Sequence, residues 1–237
     1  MKILFVHGAL VFDGAWWHRM VEPLGALGLG ISGRRAAELR SSPGASDKAP
    51  GDMYADAYAV TAALGEEDEP VVLVGHSYGG MVIIDAAAGC GNVKHLVYVT
   101  SVMPERDETM SSFGGAREPG PWMDPHREDG TMGVKDEFLP EAFMQDCDEP
   151  TIAEELERVT RQPVVIFGQT PRAVAWREKP STYVVCAEDR ATPPEAQWGY
   201  ARRADSVVEL PTGHHPMLSR PELLARVLAE AAATPEE

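Results

Sequence analysis

Basic side chains are in short supply: 21 lysines and arginines face 37 aspartates and glutamates, leaving a formal net charge of −16. A surface of that sign repels nucleic acid and anionic lipid, so neither is an expected partner. Cysteine is sparser still. Cys90, Cys147 and Cys186 are odd in number and show no C-x-x-C spacing, which excludes a disulfide framework and a paired-thiol metal site. Cys186 lies inside an apolar run and reads as a small core residue. Long hydrophobic runs are missing too, since none reaches the roughly 20 residues of a membrane span. The stretch 3–6 is too short for the apolar core of a secretory signal. A reduced, cytoplasmic protein is the expectation. The glycines between positions 25 and 33 lack the spacing of a nucleotide-binding loop, and no metal-ligating cluster stands out, so neither cofactor nor metal is expected.

Core material is plentiful, with 44% hydrophobic residues over 237 positions. That suits one large α/β domain, read as residues 1–237. The most informative stretch is Val71-Val72-Leu73-Val74-Gly75-His76-Ser77-Tyr78-Gly79-Gly80-Met81-Val82-Ile83-Ile84. An aliphatic run enters G-x-S-x-G-G and a helix-like run leaves it, which predicts a strand, a tight turn and a helix with serine at the apex. Backbones approach so closely in such a turn that a Cβ two residues before or after the apex would clash. Gly75 and Gly79 remove those atoms, and Gly80 lets the helix close on the sheet. Ser77 is therefore expected in a strained conformation with its hydroxyl free at the sheet edge, as a nucleophile requires.

Continuous apolar runs at 2–6, 71–75, 95–100, 182–187 and 206–210 predict strands covered on both faces of a parallel sheet. Helical patterns alternate with them at 14–27, 52–64, 81–88, 193–203 and 220–233, and a poor strand is placed near 29–32. The alternation predicts right-handed crossovers and a doubly wound, mostly parallel sheet. Residues 104–180 break the rhythm, loop-like at 105–135 and helical at 140–146, 151–160 and 163–168. They are expected to form a cap over the carboxyl edge of the sheet. Trp122, Met123, Phe138, Phe143 and Met144 are its large apolar side chains, and Trp122, Phe138 and Phe143 are expected to touch substrate.

A serine hydroxyl becomes a nucleophile when a base takes its proton, and an imidazole oriented by a carboxylate does this best. In such a sheet the chain order is serine, acid, histidine, with the acid after a late strand and the histidine after the last. Tyr183-Val184-Val185-Cys186-Ala187 leads into Glu188-Asp189, and Val207-Val208-Glu209-Leu210 leads toward Gly213-His214-His215. Asp189 is preferred to Glu188 as the acid and His214 to His215 as the base, with His215 lining the pocket. Position sets the other histidines aside: His18 is in a helix, His95 opens a strand and His126 is in a charged loop. His76 is expected to point away from the nucleophile, and His7 to brace the loop after the first strand. The backbone N–H groups of Tyr78, which follows the serine, and of Ala9, in that loop, are the expected oxyanion hole.

In combination these residues resemble the α/β-hydrolase superfamily, and within it the small cofactor-independent branch of plant methylesterases and hydroxynitrile lyases. The likeness rests on Phe5-Val6-His7-Gly8-Ala9, Gly14-Ala15-Trp16-Trp17, Leu73 to Met81, Tyr183 to Asp189 with Pro194-Glu195-Ala196-Gln197, and Gly213-His214-His215-Pro216-Met217-Leu218-Ser219. It implies the α/β-hydrolase fold with a helical cap, and maps the family's histidine and aspartate onto His214 and Asp189. The lysine that follows the base in the lyases is His215 here, which removes their cyanide-binding group. The expected function is a serine hydrolase that cleaves a small carboxylic ester or lactone through an acyl-enzyme. Two alternatives stand beside it. One is a lyase, acyl transferase or cyclase of a biosynthetic pathway using the same triad, and the other is a non-catalytic binder of a small ligand. Homodimerisation is left open.

Overall fold

The computed structural model describes residues 1–11, 13–42, 51–112, 123–124 and 128–233, so Trp122 and His126 lie outside the described residues. The chain opens with β1 (Lys2–Val6), a 3-10 segment at Gly14–Met20 that continues into α1 (Val21–Ala26), and β2 (Gly30–Ala36). Next come α2 (Met53–Gly65), β3 (Val71–His76), α3 (Gly79–Ala86) and β4 (Val93–Val99). An insertion follows, holding β5 (Met123–Asp124), β6 (Thr131–Val134), α4 (Leu139–Phe143), α5 (Glu149–Leu156) and β7 (Gln162–Pro163). The alternation resumes with β8 (Ser181–Cys186), α6 (Pro194–Ala201), β9 (Ser206–Leu210), α7 (Pro216–Ser219) and α8 (Pro221–Ala233).

Six strands pair in parallel in the order β2-β1-β3-β4-β8-β9. Successive residues along the inner strands β1, β3, β4 and β8 serve opposite cores. Leu4, Val6, Leu73 and Tyr98 pack with α2 and α3, while Ile3, Phe5, Val72 and Val74 pack with Trp16, Trp17 and α8. With both faces covered, these inner strands favour apolar residues at nearly every position, which is why their sequences do not alternate, whereas β9 at the edge is mostly exposed. The first connection runs outward from β1 to β2 and the next returns to β3, so winding reverses between β1 and β3. Ligands of open α/β sheets bind outside the strand carboxyl ends at such a reversal. The loop after β1 and the turn after β3 flank it here.

Several elements differ from the sequence expectation. The predicted helix at 14–27 starts as a 3-10 segment, and Leu27 is 47% exposed because α1 ends at Ala26 before Gly28 turns at φ +75°. β2 extends from Gly30 to Ala36 and, among the described residues, pairs with β1 at the edge of the sheet; the glycine and arginines in its sequence hide it from a reading of apolar runs. The insertion is not wholly helical, since β5, β6 and β7 form a small antiparallel sheet. Strands of two and four residues are too short to carry a legible period. No helix of the described residues is long and apolar enough to cross a membrane.

Candidate active site

Ser77 stands between β3 and α3 with φ +51°, a left-handed backbone that a residue with a Cβ adopts only when its surroundings dictate it. The glycines around it leave no room for side chains. A Cβ on Gly75 would lie 2.8 Å from the Gly79 carbonyl group, one on Gly79 2.5 Å from Val6 O, and one on Gly80 against Ser101 and Val102. The Ser77 carbonyl accepts from the Ser101 hydroxyl at 2.5 Å, and Ser101 is held by the Tyr183 hydroxyl. Only Leu10, Ser77 and Thr100 among described non-glycine residues have positive φ. All three border the same site, where backbone strain commonly collects.

Thr100, at the end of β4, donates its hydroxyl to Asp189 Oδ2 at 2.5 Å. Asp189 follows β8 and is buried; the Ala191 and Thr192 N–H groups each donate to its Oδ1 at 2.8 Å. His214 Nδ1 donates to Oδ2 at 2.7 Å. Burial alone would raise the Asp189 pKa, but His214, Thr100 and the backbone donors outweigh it and hold the carboxyl below its ordinary range. The proton on Nδ1 leaves Nε2 of His214 as the basic nitrogen. Ser77 and His214 both line one cavity of about 150 Å³. They are not hydrogen-bonded to each other in this arrangement, and such contacts often tighten only with substrate in place.

His215 also lines the cavity, and its Nδ1 donates to the Phe143 carbonyl at 2.8 Å. Burial, reinforced by neighbouring His214, pushes its pKa down to about 3. His76 does not simply turn away as expected. Its ring packs 4.8 Å from that of His214, its Nε2 donates to the His214 carbonyl at 2.8 Å, and it forms part of the cavity wall. Burial and the two neighbouring histidines keep its pKa well below the ordinary value. It braces the loop from beneath. His7 donates from Nδ1 to the Gly8 carbonyl at 2.8 Å, inside the loop after β1. The N–H of Ala9, a cavity residue, and that of Tyr78 are free of hydrogen bonds among the described residues, whereas the Tyr78 ring runs into the core.

Among the described residues, the cavity wall is apolar apart from Ser77, Thr192 and the three histidines, and none of them brings an acidic or strongly basic side chain to it. Phe143 and Met144 contribute from the insertion, as do Met132, Leu139 and Phe167. Phe138 does not line it. The 3-10 turn at Asp136–Phe138 directs Phe138 under Lys135 Nζ, 5.9 Å from the ring centroid, and the following Leu139 is buried at the wall instead. Trp122 lies outside the described residues. Met110, Met132 and Phe167 carry no local signal in sequence, because only the folding of the insertion brings them together.

Among the described residues, two clusters bring ligand-type atoms within 4.8 Å of one another: His76, His214 and His215, and His18, Glu154 and Glu155. In the second, Arg158 already lies 3.2 Å from Glu154 and 3.6 Å from Glu155, answering their charge. In the first, each ring spends one N–H on an acceptor and retains one lone pair.

The model of the alpha/beta hydrolase family matches residues 3–227. A methylesterase of Arabidopsis thaliana is 27% identical over 246 residues, covering 94% of this chain and 92% of that protein. A norfluorocurarine synthase from a Strychnos species is 28% identical over 256 residues, covering 96% and 93%. The crystal structure of a pyrethroid hydrolase from Sphingobium faniae superposes with a TM-score of 0.85 at 27% identity, covering 99% and 98% of the two chains. The chain belongs to the alpha/beta hydrolase family, in its small methylesterase-like branch.

Proposed function

We propose that this alpha/beta hydrolase cleaves small, uncharged carboxylic esters or lactones through an acyl-enzyme formed on Ser77. The observation that carries the reading is that Ser77, at an elbow with positive φ, shares an apolar cavity with the His214 ring whose Nδ1 is tied to buried Asp189. Relatives named methylesterase and pyrethroid hydrolase support it.

In this mechanism Ser77 Oγ attacks the ester carbonyl while His214 Nε2 takes its proton. Asp189 stabilises the resulting imidazolium and holds the ring's orientation. The Ala9 and Tyr78 N–H groups receive the negative charge that develops on the carbonyl oxygen. His214 then protonates the departing alcohol and draws a proton from water for deacylation. A cavity of about 150 Å³ has room for a group about the size of benzene, and the lack of charged side chains among its described lining residues disfavours substrates with a free carboxylate or ammonium near the ester. The insertion acts as the cap that supplies this wall.

A second reading follows from the relative named a synthase: the same side chains run a non-hydrolytic conversion, with His214 as general base. Turnover of a panel of neutral aliphatic and aryl esters by wild type and Ser77→Ala tests the first. Ser77→Ala is expected to fold normally and lose about four to six orders of magnitude in kcat/KM. Retention of more than about a tenth of the activity would rule the acyl-enzyme mechanism out.

A further inference from the structure

A buried carboxylate that the hydrolytic steps do not use lies one layer behind the proposed oxyanion-binding groups. Asp56, on α2, is fully buried. Ser41 donates to it twice, from N–H to Oδ1 at 2.7 Å and from its hydroxyl to Oδ2 at 2.5 Å. The Tyr78 hydroxyl donates to Oδ2 at 2.7 Å. The Ser41 oxygen accepts in turn from Nε2 of Gln162, in β7, and Gln162 Oε1 accepts the Leu10 N–H at 3.0 Å. The direction of every bond is set by its ends, because a peptide N–H only donates and a carboxylate only accepts. One chain of hydrogen bonds therefore joins the residue after Ala9 to the residue after Ser77, and it passes through the insertion.

Leu10 is where such a constraint is needed. Its φ of +66° is disfavoured for a residue with a Cβ, so the loop keeps that shape only if held. The insertion grips the residue on both sides, with Gln162 on its N–H and the Thr160 N–H on its carbonyl at 2.8 Å. Gln162, Ser41, Asp56 and Tyr78 are each at most 1% exposed, so water does not compete for these bonds.

We propose that Asp56 and Gln162 are positioning residues for the two oxyanion-binding N–H groups: the carboxylate fixes Tyr78, and Gln162 carries the constraint to Leu10 and thereby to Ala9. The inference rests on the hydrolytic reading above. It gives the insertion a part in setting the rate as well as in lining the pocket. An asparagine at position 56 would offer one acceptor oxygen and aim N–H groups at donors.

Tyr78→Phe and Gln162→Met each remove polar atoms from the chain and leave the backbone donors in place. For a small neutral ester, kcat is expected to fall about ten- to a hundredfold, short of the two to three orders that follow outright loss of a donor. KM should stay within about threefold. Affinity for a trifluoromethyl ketone, whose serine adduct carries an oxyanion, should fall by the same factor as kcat. A lower melting temperature with kcat and ketone affinity unchanged would show a merely structural role and overturn the inference. Wild type without Ser77-dependent turnover would remove the hydrolytic reading and the inference together, whereas active wild type with unaltered variants removes the inference alone. Tyr78→Phe, which deletes a single oxygen, decides the matter should Gln162→Met fail to fold.

Discussion

At neutral pH His215 carries no charge, and this couples folding to acidity. Burial and the adjacent His214 push its pKa to about 3, against 6.5 for an unperturbed imidazole. Between those values the unfolded chain binds a proton that the folded chain refuses. Its contribution is therefore intact above about pH 6.5 and is lost as the pH falls toward about 3, with a slope approaching about 1.4 kcal/mol per pH unit. Burial lowers His76 and His7 in the same direction. Glu155 opposes them: burial raises its pKa from 4.5 to about 7, so its contribution declines as pH rises through that range. Urea midpoints of wild type and His215→Gln, taken from pH 7 to pH 5, separate the two effects. The variant should lose less stability on acidification, and parallel pH profiles would contradict the assignment. Much at this scale is legible in the sequence. Gly75 and Gly79 announce a backbone crossing, and the order of Ser77, Asp189 and His214 follows the strands. The brace from His76 is not legible, because strand alternation says nothing of a ring that the turn carries beneath a loop 138 residues away.

Elements of the insertion hold the two loops that carry Asp189 and His214. Just after α4, Gln145 Nε2 donates to the Glu188 carbonyl at 2.7 Å, and Asp146 Oδ2 accepts the Gly213 N–H at 2.8 Å. The Phe143 carbonyl accepts from His215 as well. A Cβ on Gly213 would stand 2.5 Å from both Asp146 Oδ1 and Gln145 Nε2, so any larger residue would have to displace these two side chains from their contacts. Asp146→Ala is expected to cost about 1.5–3 kcal/mol, the range for hydrogen bonds to a charged group. It should also lower kcat for ester turnover by about tenfold; urea unfolding and steady-state kinetics read the two separately. Unchanged kcat would mean that the histidine loop keeps its place without this anchor. Apart from β2, the sheet strands are readable because each is a short, mostly apolar run, and Lys2–Val6 and Ser206–Leu210 match to the residue. The insertion resists reading because its strands are short and its contacts with the loops are long-range. Phe138 and Leu139 illustrate the point, since a turn of unknown type decides which one faces the cavity.

Across the whole molecule, the two cores and the reversal of winding between β1 and β3 set the loops after β1, β3, β8 and β9 around one cavity. The sheet supplies a rigid frame, and the insertion closes the cavity with methionine, leucine and phenylalanine side chains. A net charge of −16 adds a general bias against anionic substrates, which the uncharged wall reinforces. The relay of a proton from Ser77 to His214 is the claim on which the proposed activity depends. Mass spectrometry of the intact protein and its peptides after treatment with a fluorophosphonate tests it most directly. The adduct should lie on Ser77, and His214→Ala should slow its formation by about three orders of magnitude or more. An adduct elsewhere, or labelling of Ser77 undiminished in His214→Ala, would contradict the proposed chemistry.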